Sequence, residues 1–171
     1  MEIGQNFFMR DAQEVARDLL GKEIVRKEKE EYRARIVETE AYFDEKDPAS
    51  RARQNGKLRE IMKGRPGTIL VYGVHNNWLL NIVTGEKDKA EAVLIRAIEP
   101  LNFKARTKGP GLLTEALKID KSFNAEKIGE NIKFEQGKDN FKIESGKRIG
   151  VSEDLDKDLR FWIKNNEFVS R

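Results

Sequence analysis

The chain of 171 residues is long enough for one domain with a sizeable core and too short for two comfortable ones. Hydrophobic residues make up 38% and charged residues 37%, while a net charge of +3 and a pI near 9.0 leave room for a basic face. The absence of cysteine excludes disulfides and thiolate metal sites, and a single histidine, His75, argues against a histidine-rich metal centre. The N-terminus MEIGQNFFMRDAQ lacks a signal-peptide pattern and no apolar run reaches membrane-span length, so a soluble cytoplasmic protein is expected.

Residues 11–22, DAQEVARDLLGK, predict a short helix. Asp11 can cap it, Glu14 sits three residues on as in a capping box, and Gly21 can end it. Val15, Ala16, Leu19 and Leu20 form its apolar stripe. Two strands follow, KEIVRK and the long alternating YRARIVETEAY, joined through the polar EKEE as in a hairpin. Alternation in the second puts Ile36, Glu38, Glu40 and Tyr42 on one face and Val37, Thr39 and Ala41 on the other. Two carboxylates and a tyrosine along one face suit either a wet edge or a site that needs a fixed negative charge beside an aromatic ring.

Between Asp47 and Pro66 the character changes. Arg51, Arg53, Lys57, Arg59, Lys63 and Arg65 stand against one acid, Glu60, which predicts a solvated loop or short helix able to contact phosphates. GTILVYGVHNNWLLNIVTG predicts a β-hairpin with Asn76-Asn77 at its tip, since asparagine tolerates the left-handed backbone of a tight turn. That turn would pair His75 with Trp78 and Tyr72 with Asn81, so that Tyr72 and Asn81 share a face. AEAVLIRAIEPL is a further strand, apolar but for Arg96, a charge that must be paired or solvated.

TKGPGLLTEAL turns at Gly-Pro-Gly and enters a helix, and residues 124–148 read as short strands and loops. The closing strand alternates Leu159, Phe161 and Ile163 with Arg160, Trp162 and Lys164. Strands outnumber helices and follow one another in hairpin order, with no repeat and no linker. One α+β domain over residues 1–171 is the expected class.

There is no P-loop, GxGxxG, HExxH or GxSxG signature. The order of RIVETEAY, PGTILVYG, WLLNIVTG, AVLIRAIEPL, GPGLLTEALKIDKSF and RIGV…DLRFW, however, resembles the successive motifs of the alkyladenine (3-methyladenine) DNA glycosylase family. The resemblance runs from about Phe7 to the C-terminus; ETEAY and VLIRAIEPL at this separation are its specific part. It implies a mixed α+β domain with a curved antiparallel sheet, flanking helices and a protruding hairpin, without cofactor or metal. It also implies a monomer that excises alkylated or deaminated purines from double-stranded DNA, of the 3-methyladenine, hypoxanthine and ethenoadenine class.

By that resemblance Glu40 is the general base, and its chemistry fits: cleaving an N-glycosidic bond builds oxocarbenium character that a carboxylate stabilises while activating water. Arg96 would position the water with Glu40. Tyr42 and Tyr72 would stack on a base flipped out of the duplex, and Asn81 would crowd the exocyclic amine of guanine. Glu38, about 7 Å along the strand, is expected to be supporting. Phosphate contacts would come from the segment around Arg51 to Arg65, with Lys121 in IDKSF.

Two departures from the family pattern stand out. The family tip carries a Tyr-Gly wedge that fills the space left by the flipped base. Here the tip is VHNNW, and gap placement makes either His75 or Tyr72 the wedge, with His75 preferred because it needs one gap. The family also commonly shows DPASH where this chain reads DPASR, so Arg51 replaces a histidine of the base pocket. Either a permanent cation there disfavours cationic alkylated bases and shifts preference towards neutral lesions such as hypoxanthine, or Arg51 turns outward to phosphate. The rival expectation from another class is a non-catalytic nucleic-acid-binding module on the same scaffold.

Overall fold

Alternating apolar residues build a nine-stranded antiparallel sheet around two long central strands. The computed structural model describes residues 1–44, 46–53, 56–86 and 88–170, with the side chain of Arg53 outside that description. The strands are β1 (Glu2–Ile3), β2 (Glu23–Lys27), β3 (Glu31–Tyr42), β4 (Ile69–Val74), β5 (Asn77–Thr84), β6 (Glu91–Pro100), β7 (Ile132–Glu135), β8 (Ile143–Gly146) and β9 (Arg160–Ile163). Their order is β1-β7-β2-β3-β6-β5-β4, with β9 pairing β3 and β8 outside that path. Three short helices, α1 (Ala12–Leu19), α2 (Lys57–Met62) and α3 (Pro110–Ala116), complete an α+β fold of the class expected.

Helix α1 forms as its sequence dictates. The Asp11 carboxylate accepts from the Gln13 and Glu14 N–H groups (2.8 and 3.4 Å), and the chain leaves the helix through Gly21 at φ +85°. No side chain fits at Gly21: a Cβ would lie 2.1 Å from the Lys138 carbonyl oxygen. Ala12, Val15, Ala16 and Leu19 are buried against one face of the sheet. On that face they join Val37, Ala41, Leu80, Ile82, Val93, Ile95 and Leu113 in the main core.

The opposite face carries a second, smaller cluster. Ala52, Met62, Leu70, Val83, Ala90 and Ala92 are buried there, with Leu58, Ile61 and Tyr72 packed against them. Of the two forms expected for the basic segment, a solvated loop or a short helix, residues 57–62 take the helix. Its Leu58, Ile61 and Met62 recur at helical spacing, and Met62 is buried in this cluster with Leu58 and Ile61 packed against it, so that α2 covers part of this face.

Two expectations of register are corrected. The hairpin turn is His75-Asn76, both left-handed (φ 51° and 64°), rather than Asn76-Asn77. Gly73 faces Trp78, Tyr72 faces Leu79 and Leu70 faces Asn81. Moving the tip by one residue shifts each pairing by two, so face parity is unchanged and Tyr72 and Asn81 remain diagonal neighbours on one face. In β3, the pairing with β6 is irregular on both sides of Glu38. Ile36 consequently joins Val37 in the main core, although strict alternation would separate them.

Candidate active site

Strand β3 is paired with β6 on one side and with β9 on the other, which takes its carboxylates out of solvent. Glu40 faces Leu94 of β6 and Arg160 of β9, and Glu38 faces Ala97 and Trp162. Both glutamates are fully buried. A wet edge is thereby excluded, and each charge has its own partners.

The Tyr42 hydroxyl donates to Glu40 Oε1 at 2.7 Å, and the Ile149 N–H donates to Oε2 at 2.7 Å. Arg96 Nη1 lies 3.5 Å from the same Oε2. Glu38 is held by a different set of partners. Its Oε2 accepts from Arg96 Nε (3.3 Å) and Arg160 Nη1 (3.2 Å), and its Oε1 from the Ser170 N–H (2.8 Å). Arg96 thus bridges the two carboxylates, which accounts for a guanidinium in an otherwise apolar strand.

Burial raises the Glu40 pKa above the usual carboxylate range, against the opposing pull of Arg96, the Ile149 N–H and the Tyr42 hydroxyl. The Tyr42 phenol is pushed well above its ordinary value by burial and by the adjacent Glu40 carboxylate. Burial raises the Tyr72 phenol as well, and Arg51 opposes the shift. Both tyrosines are therefore neutral near pH 7, and Glu40 is a carboxyl of enhanced basicity.

A cleft of about 670 Å³ opens above this group, with Tyr42, Arg96 and Ile149 in its lining and Tyr72, Arg51 and His75 further out. Beneath it a small recess lies between Tyr42, Tyr72, Arg51 and Asn81. The guanidinium carbon of Arg51 is 5.0 Å from the centre of the Tyr72 ring. Asn81 is buried and donates to the Leu70 and Leu79 carbonyls (3.3 and 3.4 Å), which fixes its amide beside the Tyr72 hydroxyl. His75 stands exposed at the hairpin tip and reaches the cleft rim.

The structure brings together Glu40, Arg96, Tyr42, Tyr72, Asn81, Arg51 and His75, drawn from four strands and two loops. It does not bring Lys57, Arg59, Lys63, Arg65 or Lys121 to the cleft. Arg65 donates to Gln5 Oε1 at 2.7 Å and lines a separate hollow beside Gly4 and Lys127. Lys121 is exposed on a 3-10 turn next to β4. The side chain of Arg53 lies outside the described residues.

Sequence reasoning missed two contributors. The Ile149 N–H, which meets Glu40, has no side-chain signature, and only the RIGV motif marked its surroundings. Arg148 is fully buried against Asp47, and its guanidinium carbon lies 4.7 Å from the centre of the Tyr42 ring. Among the described residues, no group of three or more His, Cys, Asp or Glu could hold a metal ion, and no helix is long and apolar enough to cross a membrane.

Comparison with known proteins matches residues 6–167 to the family model described as "Methylpurine-DNA glycosylase (MPG)". A relative from Aeropyrum pernix is 40% identical over 180 residues, covering 99% of this chain and 93% of that protein. One from Borrelia garinii subsp. bavariensis is 42% identical over 184 residues, covering 96% and 97%. A third, from Natranaerobius thermophilus, is 37% identical over 198 residues and covers 99% of each. All three carry the name "Putative 3-methyladenine DNA glycosylase".

Proposed function

From the premise that this chain belongs to the methylpurine-DNA glycosylase family and is a DNA glycosylase, we propose that it flips damaged purines out of double-stranded DNA and hydrolyses their N-glycosidic bond. It works as a one-domain monomer without cofactor, on the class that includes 3-methyladenine, hypoxanthine and ethenoadenine. The observation that carries this reading is the convergence of the Tyr42 hydroxyl, the Ile149 N–H and Arg96 on the buried Glu40 carboxylate, just beneath a cleft. A carboxylate held out of water is expensive, and a module that only bound DNA would gain nothing from one beside the phosphate backbone.

In the proposed reaction, the flipped purine enters between Tyr42 and Tyr72, whose ring faces replace the stacking lost from the duplex. Each Glu40 oxygen keeps a free lone pair beside its hydrogen bond, and a water between Tyr42 and Arg96 hands its proton to one of them. The glycosidic bond breaks while Glu40 is still ionised and faces the developing oxocarbenium ion; the base leaves with the bonding electrons, and the water oxygen bonds to the sugar carbon as its proton passes to Glu40. Arg96, bound to Glu38, orients the water from the other side. Asn81 crowds the exocyclic amine of guanine, and His75 fills the stack from which the base has left.

Arg51 refines the substrate range. Its guanidinium stands against Tyr72 with no carboxylate partner among the described residues, so the recess carries a permanent positive charge. Neutral lesions that offer an acceptor, such as hypoxanthine, suit it better than N-alkylated cations. Single-turnover excision from duplexes bearing hypoxanthine, ethenoadenine, 3-methyladenine and 7-methylguanine tests the whole reading. Release of at least one of them is expected, and release of none while damaged duplex still binds would favour the binding module.

A further inference from the structure

The Arg148 guanidinium does not line the cleft, yet it is fastened to each segment on one side of it. Nη1 donates to the Ala41 carbonyl (3.0 Å) and Asp47 Oδ2 (2.7 Å), and Nη2 to Asp47 Oδ1 (2.8 Å) and Asp154 Oδ1 (2.6 Å). Nε donates to the same Asp154 oxygen at 3.0 Å. The side chain has no solvent exposure. Asp47 also accepts from the Phe43 and Ala49 N–H groups (both 3.0 Å), fixing the turn that leads to the Pro48–Arg51 wall. Asp154 also accepts from the Leu155 N–H at 2.8 Å, and its contacts with Arg148 close the loop that carries Ile149.

Stability alone is a poor reason for such a cluster, because buried ion pairs replaced by well-packed apolar groups often leave a protein as stable or more so. Location is a better one. The guanidinium joins the end of β3, the 43–50 turn and the 147–155 loop, and the very next residue gives its N–H to Glu40.

We infer that Arg148 is a positioning residue for base excision: it clamps the 147–155 loop to β3 so that the Ile149 N–H and the Tyr42 hydroxyl stay on the Glu40 carboxylate. The inference rests on the reading of Glu40 as the base. The other groups that face Glu40 are Glu38 and Tyr42 on its own strand, Arg96 from β6, Arg160 from β9 by way of Glu38, and Tyr72 across the cleft. Arg96, Arg160 and Glu38 are tied to one another; Arg160 Nε also donates to the Lys147 carbonyl (2.8 Å) at the start of the loop, while the pairing of β9 with β3 holds Arg160 independently of Arg148. Loosening the loop beyond Lys147 therefore removes the Ile149 N–H, a donor that favours the carboxylate form, and leaves Arg96, Glu38 and the strand-held Arg160 in place. A carboxylate that loses such a donor titrates higher, by about one pH unit.

The test is the pH profile of single-turnover excision for the wild type, Arg148→Lys, Asp154→Asn and Glu40→Gln. Lysine keeps the charge and can keep Asp47, but it lacks the planar fork that holds Ala41, Asp47 and Asp154 together. Asp154→Asn frees the loop end alone and serves if Arg148→Lys does not fold. The acid limb is expected to move up by about one pH unit in Arg148→Lys, and in the same direction by less in Asp154→Asn, with the rate recovering toward wild type as pH rises. A purely structural role would lower melting temperature and amplitude at every pH and leave the limb where it was. An unmoved limb in whichever variants fold overturns the inference. A wild-type rate with no acid limb, or one that survives in Glu40→Gln, overturns the reading of Glu40 instead.

Discussion

Replacing Glu40 with glutamine isolates charge from shape. The carboxylate receives the Tyr42 hydroxyl on one oxygen and the Ile149 N–H, with Arg96 at 3.5 Å, on the other. A glutamine can keep its carbonyl on the Ile149 side and turn its amide to the Tyr42 oxygen, which then accepts instead of donating. Weakening charge-assisted contacts to neutral ones costs about 1–2 kcal/mol. Relief of the buried charge returns about 1.4 kcal/mol for each unit by which its pKa was raised. The two oppose each other, and the melting temperature should move by no more than about 4 °C.

Catalysis has no such compensation. General-base assistance contributes roughly 10²–10⁴-fold, and the charge facing the oxocarbenium ion is lost with it. Excision measured under single turnover should fall at least ~10³-fold, about 4 kcal/mol in barrier, while binding to damaged duplex is preserved. A glutamine variant within about threefold of wild type would refute the mechanism. The proton linkage gives a second check. A carboxyl with a raised folded pKa favours folding at low pH, and that contribution is lost as pH rises from about 4.3 through the folded pKa. Glu40→Gln should remove this slope, and the wild-type excision limb should lie above pH 4.3 in the same window.

Arg51→His should raise excision of 7-methylguanine relative to hypoxanthine by about tenfold or more, read as a ratio of single-turnover rates, since a neutral imidazole relieves repulsion worth about 1.4 kcal/mol. His75→Ala should weaken flipping, followed by 2-aminopurine fluorescence beside the lesion, whereas Tyr72→Ala should weaken capture of the flipped base; the reverse would make Tyr72 the wedge. Gly21→Ala should destabilise the fold by more than about 2 kcal/mol in urea unfolding, because the backbone is left-handed and the added carbon would meet a carbonyl at 2.1 Å. Unchanged stability there would mean that the Lys138 segment moves aside at little cost.

The sequence made periodicity visible and left long-range partners dark. Strand β3, the Tyr72 hairpin and helix α1 were legible because alternation and caps are written locally. Asn-Asn looked like the hairpin tip, but His75 takes the first left-handed position; the face of Tyr72 was read correctly only because a two-residue shift preserves parity. Six basic residues masked the apolar Leu58, Ile61 and Met62, so the short helix was legible as an alternative but its packing against the sheet was not. Glu38 and Glu40 are equivalent by spacing. What separates them is Ser170 and Arg160 on one and Ile149 on the other, contacts that no local pattern announces.

Those distant partners have a consequence for biosynthesis. Glu40 waits for a donor 109 residues later in the chain, and Glu38 for partners 122 and 132 residues later. At roughly 5–20 residues per second of translation, the carboxylates leave the ribosome about 5–25 s before their last ligands exist. Arg96 of β6 can reach both earlier, but the remaining cost of burying two carboxylates is offset only when those later partners arrive. Assembly of the base-excising centre is thus deferred until the residues from Ile149 to Ser170 have been made.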